Sequence, residues 1–356
     1  MVKKILVDGI MHLGDMMISA SVFPILRKHY PNAEIVYLTT ANLAPAAALI
    51  EGVDRVIPYE YKSGGGIKGV WDMAGKLRKE QFDIGISLDP RERVTLMKWL
   101  AGIPLRVTLE EALGWQLKWE RWFYHQDISL SGWDVRNHLM SESFQEAMRR
   151  FCHDDDRNFL RPKLKPSDAN TKLKVKQLIS DARVCGGGTV VFCVSTTGDN
   201  RKKDWPIERF AELADRLAEN GTRLVFIGIR EHQERIEKIV AQMRHPEATL
   251  NVAGRTSLAE LVELFRQVDI LISLDTGTAH FAALAGCGVL TIFSFNSPEV
   301  YGAAAKFSRA VSAHVPCSGK YVCTEPGNCD KDDCYRLITV DMVYDAAKEL
   351  LSEVKR

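Results

Sequence analysis

At 356 residues, with 46% hydrophobic and 26% charged side chains, the chain has apolar material for two ordinary globular cores and lacks the composition of a disordered protein. Its 47 lysines and arginines against 46 aspartates and glutamates leave a formal charge of +1, so no global field favours nucleic acid and any basic surface must be local. The opening MVKKILVDGI is too short and too polar for a signal peptide, and no run of about eighteen apolar residues follows it, so a soluble cytoplasmic protein is expected.

In chain order, residues 4–7 form a short apolar strand, residues 18–29 show helical apolar spacing, and residues 34–38 are again apolar and β-branched. That β-α-β order requires a parallel sheet. Strands are expected at residues 55–58 and 82–88 and helices at 44–50 and 69–80, with Gly64, Gly65 and Gly66 in a loop. Trp115, Trp119, Trp122 and Trp133 follow, with Lys118 and Arg121 interleaved, and then a helical stretch over residues 135–151. Charge and proline, including Pro162 and Pro166, mark residues 154–170 as the linker between two domains. Beyond it the alternation restarts, with strands at 189–194, 223–227, 249–252, 270–274 and 289–293 separated by helices at 207–220, 231–243, 257–267 and 278–285. Two open α/β units in series result, and ligands in such sheets bind beyond the carboxyl ends of the strands.

The sharpest signal in those loops is Asp275-Thr276-Gly277-Thr278-Ala279-His280, directly after an apolar strand and opening a helix. Backbone N–H groups and the helix dipole make such a turn an anion site that fits a diphosphate, to which the Thr276 and Thr278 hydroxyls and His280 could donate. The competing reading is a capped helix with a buried, satisfied histidine, and spacing alone does not choose. A second loop, Ser195 to Pro206, carries Thr196, Thr197 and Lys203, able to hold phosphate oxygens as a leaving group gains charge, or else to form a solvated basic loop beside a core Trp205. The third is Gly14-Asp15, where a carboxylate at the mouth of a helix is either a general base or, more commonly, a plain cap. A helix N-terminus lowers a carboxyl pKa, so a base at this place needs a neighbour or burial to offset it. Gly9 and Gly14 do not spell a dinucleotide fingerprint.

Of eight cysteines, Cys152, Cys185, Cys193 and Cys287 lie apart in mostly apolar surroundings, as small core residues do. Cys317, Cys323, Cys329 and Cys334 are separated by five, five and four residues in a loop rich in Pro and Gly. In a reducing compartment this is read as a structural zinc or iron site ahead of free thiols, with disulfides last. Arg91, Arg93 and Lys98, near a strand end, suit phosphates or carboxylates of a substrate, or a solvated helix face.

Taken together and in this order, ILVDGIMHLGDMMISASVFPILRKHYPNAEI, FDIGISLDP, STTGDNRKKDWPIERFAELADRL and NVAGRTSLAELVELFRQVDILISLDTGTAHFAALAG resemble glycosyltransferase family 9, the ADP-heptose:lipopolysaccharide heptosyltransferases. The resemblance implies a GT-B fold, α/β with two Rossmann-like domains whose parallel sheets face across a cleft. Residues 1–165 would hold the acceptor and residues 166–340 the nucleotide sugar, with a last helix at 341–356 crossing back to the first domain. It further implies inversion at the anomeric carbon without a catalytic metal. Asp15 then resembles the family's base, Thr196, Thr197 and Lys203 its donor-phosphate loop, and Asp275, Thr276, Gly277 and His280 its donor-binding turn. Glu231 is a looser match to an acid that contacts the nucleotide ribose. The implied donor is an ADP-sugar such as ADP-heptose, and the acceptor a lipid-linked saccharide of the lipopolysaccharide core or a protein. The loop Ile10-Met11-His12-Leu13 departs from the family's basic or serine-rich stretch, and the Cys-rich tail resembles clusters in members that glycosylate autotransporter proteins, so the acceptor stays open. An acceptor in the inner membrane would account for Trp115, Trp119 and Trp122 as a peripheral contact, with core packing as the plainer alternative. Two rivals share the architecture: a nucleotide-sugar 2-epimerase, and a nucleotide-binding protein without turnover.

Overall fold

The computed structural model describes residues 2–60, 66–89, 91–109, 119–180, 188–196, 204–294, 296–313, 315 and 333–355. The chain divides into two compact units, Met1–Lys165 and Pro166–Arg356.

The first unit is built on six strands: β1 (Lys4–Gly9), β2 (Glu34–Thr40), β3 (Arg55–Tyr59), β4 (Ile84–Asp89), β5 (Leu105–Thr108) and β6 (Gln126–Asp127). They lie in the order β3-β2-β1-β4-β5-β6, every pair parallel. The second unit repeats the plan with β7 (Thr189–Cys193), β8 (Arg223–Ile227), β9 (Thr249–Asn251), β10 (Ile270–Leu274), β11 (Gly288–Phe293) and β12 (Ser308–Ser312), in the order β12-β11-β10-β7-β8-β9. Helices cover both faces of such sheets, so their central strands read as unbroken apolar runs. Ile5, Leu6 and Val7 in β1, Val191 and Phe192 in β7 and all five residues of β10 are buried accordingly.

The expected helix over residues 18–29 is two, Leu13–Ser19 and Val22–His29. Pro24 explains the break. It has no N–H for the Ala20 carbonyl, and its ring crowds that carbonyl, so the chain turns through Ala20 and Ser21 on shorter bonds such as Phe23 N to Ala20 O at 3.1 Å. The sequence reading passed over the edge strands β6 and β12 and β5 beside β6, which are short or carry arginine, serine and threonine. The expected linker begins later than its composition indicated. Residues up to Lys165 are pinned to the first unit by Glu51 N to Lys163 O at 2.9 Å and Lys165 N to Leu49 O at 2.7 Å, and the second unit starts at Pro166.

The final helix, Val340–Val354, packs on β10, β11, β12 and the helix Ile207–Ala218 of its own unit. Its Val343, Ala347 and Leu350 enter one cluster with Phe210, Leu213, Leu290 and Val311. Thr339 starts it by accepting a hydrogen bond from Met342 N at 3.3 Å. Leu350→Ala is therefore expected to cost about 2–5 kcal/mol in urea unfolding, whereas Met342→Ala on the exposed side should stay within about 0.5 kcal/mol. Equal, small effects would detach this helix from the core.

Candidate active site

In each sheet the strand order reverses direction once, between β1 and β4 in the first and between β7 and β10 in the second. At such a point neighbouring loops leave toward opposite faces, and the crevice between them is where open α/β sheets bind ligands.

In the second unit, Asp275 and Thr276 follow β10 and the helix Gly277–Ala285 begins at once. Thr276 is the capping residue by position, but its side chain does not cap. Its hydroxyl lies 3.3 Å from that of Ser273, whose own proton goes to the Leu274 carbonyl at 2.7 Å. Asn296 Nδ2 donates to Asp275 Oδ2 at 2.5 Å, tying the loop after β11 to the turn. His280, one turn into the helix, is buried, and burial pushes its pKa down to about 4, so at neutral pH it is an uncharged imidazole with one N–H to give. Cys193, at the end of β7, sits beneath the turn beside Ser273, its partner in register, and burial pushes its thiol up, keeping it protonated. Thr196 follows β7, and its N and Oγ1 donate to Asp204 Oδ1 at 3.4 and 3.3 Å. Arg235 fastens the same loop through Val194 O at 2.9 Å and Trp205 O at 2.7 Å. Trp205 is fully buried and donates to Ile338 O at 3.0 Å, so it is a core residue. Glu231 stands exposed on a short turn after β8. Thr196, Glu231 and the Asp275–His280 turn thus gather at the carboxyl ends of the adjacent strands β7, β8 and β10. Thr197 and Lys203 lie outside the described residues.

In the first unit Asp15 occupies the first turn of the helix Leu13–Ser19, exposed, with His12 and not Asp15 in the capping position. The helix opens right after β1, at the reversal point. Three charged residues that the sequence reading missed or misplaced lie beneath it. Asp8, in an otherwise apolar strand, is fully buried and pairs with Lys98, whose Nζ lies 2.5 Å from Asp8 Oδ2. Lys98 also donates to Ser87 Oγ, and Ser87 and Thr95 bond the Tyr124 hydroxyl at 2.8 and 2.7 Å. The reading of Lys98 as a contact for a substrate anion or a solvated residue is overturned, because its side chain is 0% exposed. Burial acts to neutralise Lys98, but the Asp8 carboxylate outweighs it and holds the ammonium above its usual pKa. Gly85 leaves room for the lysine stem, since a Cβ there would lie 3.2 Å from Lys98 Cδ. Asp89, last in β4 and paired in register with Gly9, is buried and accepts from Arg91 Nε at 2.9 Å. Burial pushes Asp89 up to about 6 against the pull of Arg91, with the charges of Asp8 and Asp15 adding to the rise. The signal that could have flagged Asp8 is an acid inside an apolar strand, which burial permits only with a partner.

Trp99 and Trp119 pack edge-on against Phe123 at 5.4 and 5.6 Å, and Trp122 is 84% exposed. Trp133 is structural, stacked on His138 at 3.7 Å and donating to Ser143 Oγ at 3.1 Å. Trp115 falls outside the described residues, as do Cys317, Cys323 and Cys329, while Cys334 stands partly buried on the short helix Asp333–Arg336. Among the described residues no group of three or more His, Cys, Asp or Glu could hold a metal ion, and no helix is long and apolar enough to cross a membrane.

With two parallel sheets and a candidate site at each reversal point in place, comparison with known proteins gives the lineage. The chain belongs to glycosyltransferase family 9 (heptosyltransferase), whose family model matches residues 70–329, and it is accordingly a glycosyltransferase. It is 26% identical over 304 residues to lipopolysaccharide heptosyltransferase 2 of Escherichia coli K12, covering 83% of this chain and 84% of that one. It is 24% identical over 358 residues to lipooligosaccharide heptosyltransferase 2 of Haemophilus influenzae, covering 99% of each. Among solved structures it is similar to a family 9 glycosyl transferase from Veillonella parvula, with TM-score 0.82 at 21% identity over 99% of this chain and 98% of that one. The E. coli ADP-heptose heptosyltransferase II gives 0.76 at 22% over 99% and 100%. The fold is GT-B.

Two outcomes follow for the first unit. Between about pH 4 and about pH 6 the folded chain keeps a proton on Asp89 that the unfolded chain has released, so stability falls as pH rises through that window, by on the order of 3 kcal/mol. Asp89→Asn should flatten this slope in urea unfolding at pH 4 and pH 7, and an unchanged slope would place the titration elsewhere. Lys98→Met alone, leaving Asp8 buried and uncompensated, should cost about 3–5 kcal/mol, and Asp8→Asn added to it should recover much of that loss. Additive losses in that pair would show that the two groups act independently.

Proposed function

We propose that the chain moves heptose from an ADP-linked donor to a saccharide of the lipopolysaccharide core, inverting the anomeric carbon, with Asp15 as general base. The observation that carries this reading is the position of Asp15 at the reversal point of one sheet, and of the Asp275–His280 turn and Thr196 at that of the other, with Glu231 after the neighbouring strand β8, in a family 9 chain. The relatives' names supply the substrates: both curated relatives are heptosyltransferases of lipopolysaccharide or lipooligosaccharide, and a similar E. coli heptosyltransferase was solved with ADP. They favour a saccharide over a protein as acceptor.

In the proposed step the acceptor hydroxyl oxygen bonds to the anomeric carbon as the bond from that carbon to the diphosphate oxygen breaks, and the hydroxyl proton passes to Asp15. A single displacement needs one carboxylate, where a retaining glycosidase needs two. The departing negative charge falls to the amides opening the helix at Gly277, the neutral His280 and Lys203, the part a divalent cation plays in other transferases. Glu231 is suited to the ribose. The exposed Trp119 and Trp122, with Trp99, support a peripheral contact with the headgroup region of an inner membrane that presents the acceptor, on its cytoplasmic side.

Asp15→Asn should lower transfer by about a hundredfold or more while leaving ADP binding intact. ADP at about a hundred times its dissociation constant should stabilise wild type and variant alike by about 2.7 kcal/mol in thermal unfolding. Retained turnover in Asp15→Asn, or no stabilisation by ADP, overturns the reading. Conversion of ADP-heptose to an epimer with no acceptor present would favour the 2-epimerase instead.

A further inference from the structure

The stretch that carries Thr196, Thr197 and Lys203 leaves the second sheet at the end of β7 and ends at Trp205, just before the helix Ile207–Ala218. Its two ends are rooted in the core. Val194 and Trp205 are fully buried and belong to one apolar cluster. Burying such residues also takes their backbone carbonyls out of water, and each carbonyl then needs a donor.

One side chain from outside the stretch serves both. Arg235, in the first turn of the helix Gln233–Val240, donates from Nε to the Val194 carbonyl at 2.9 Å and from Nη2 to the Trp205 carbonyl at 2.7 Å. Its remaining nitrogen, Nη1, lies 3.8 Å from Asp204 Oδ2. The other oxygen of that carboxylate accepts from Thr196 N and Oγ1 at 3.4 and 3.3 Å. A guanidinium is flat and rigid, so two carbonyls bound to two of its nitrogens are held at one separation. The neck of the loop is closed in this way, and the chain of contacts runs through Asp204 to Thr196, a residue of the candidate donor site.

The segment that delivers Arg235 has anchors of its own. Gln233 Nε2 donates to Ala253 O at 3.0 Å, Gly254 N donates to Gly228 O at 2.8 Å, and Ile236 and Ile239 are fully buried. Glu231, four residues before Arg235, is therefore placed by contacts that do not pass through the guanidinium.

We propose that Arg235 is a positioning residue for the donor: acting through Val194, Trp205 and Asp204, it closes the neck of the loop and sets Thr196 for the diphosphate. The clamp bears on the diphosphate end of the nucleotide and not on the ribose end, where Glu231 stands. This rests on the reading of the site as one for an ADP-linked donor.

The test uses the full chain, with ADP binding followed by calorimetry, adenosine binding by ligand-observed NMR, and steady-state transfer from ADP-heptose to a heptose-free lipopolysaccharide core. In Arg235→Met the Kd for ADP and the KM for ADP-heptose should rise by about tenfold or more, while the Kd for adenosine and the KM for the acceptor stay within about twofold. Arg235→Lys keeps the charge but not the planar fork, so it should show the same selective loss of ADP affinity to a smaller extent. A residue that only supports the core would weaken ADP and adenosine together, and that result overturns the proposal, as does wild-type ADP affinity in either variant. Arg235→Lys decides the matter if Arg235→Met does not fold. Should the wild-type chain fail to bind ADP, the donor reading itself fails; should it bind ADP and both Arg235 variants bind it equally well, only the clamp fails.

Discussion

Parallel pairing is the constraint from which the rest of this molecule follows. A strand that runs parallel to its neighbour can reach it only by a crossover, so every strand delivers its following loop to the same edge of the sheet. With six parallel strands in each unit, all chemistry borne on loops collects at one edge, and the single reversal of strand order leaves one place there where two loops part. In the first unit that place lies between β1 and β4, whose ends carry Asp8, Asp89 and, a few residues on, Asp15. In the second it lies between β7 and β10, whose loops carry Thr196 and the turn from Asp275 to His280. The two halves use it differently. The second presents hydroxyls, helix amides and a neutral imidazole. The first presents the exposed carboxylate of Asp15, with the Asp8–Lys98 pair buried and Asp89 held by the half-exposed Arg91.

Placing ions under the first site is expensive, and the structure shows how it is made tolerable. Two desolvated charges are stable only in close contact with their remaining hydrogen-bonding capacity filled. Lys98 meets Asp8 and Ser87, and the Tyr124 hydroxyl closes the set through Ser87 and Thr95. A missing side chain at Gly85 gives the lysine its path. Such a pair adds little to stability compared with apolar residues of the same shape. What it fixes is the relative position of β1, β4, the helix Glu92–Leu100 and the segment holding Tyr124, and it leaves Asp89 as the carboxylate with a partner that is half in water.

Much of this was legible in the chain. Central strands of a parallel sheet are apolar on both faces, so ILV, VVF and ILISL declare themselves, and the turn after ILISL is marked by its own residues, LDTGTAH. Asp15 and the turn from Asp275 to His280 were singled out by the same local logic, each just past a strand that the structure confirms. What escaped was non-local. Nothing near Lys98 in sequence says that its partner lies ninety residues earlier, and an acid followed by a proline, as at Asp89, looks like any loop entry. The edge strands β6 and β12, and β5 next to β6, are too short or too polar to be told from loop. The packing of the last helix on its own unit was hidden because an amphipathic stripe states that a face is buried and not against what. Thr197, Lys203 and three of the four clustered cysteines lie outside the described residues, and for them the sequence remains the only witness.

That last helix also bears on how the protein is made. Its Val343, Ala347 and Leu350 close a face of the second sheet formed by strands whose residues emerge from the ribosome thirty or more positions earlier. Until residues 340–354 are clear of the exit tunnel, Leu290 and Val311 lack part of their cover, so β10, β11 and β12 wait with an apolar side open to water. The first unit carries no such debt and can complete its core while the second is still being translated, which makes the late-synthesised half the one that needs protection from aggregation in a crowded cell.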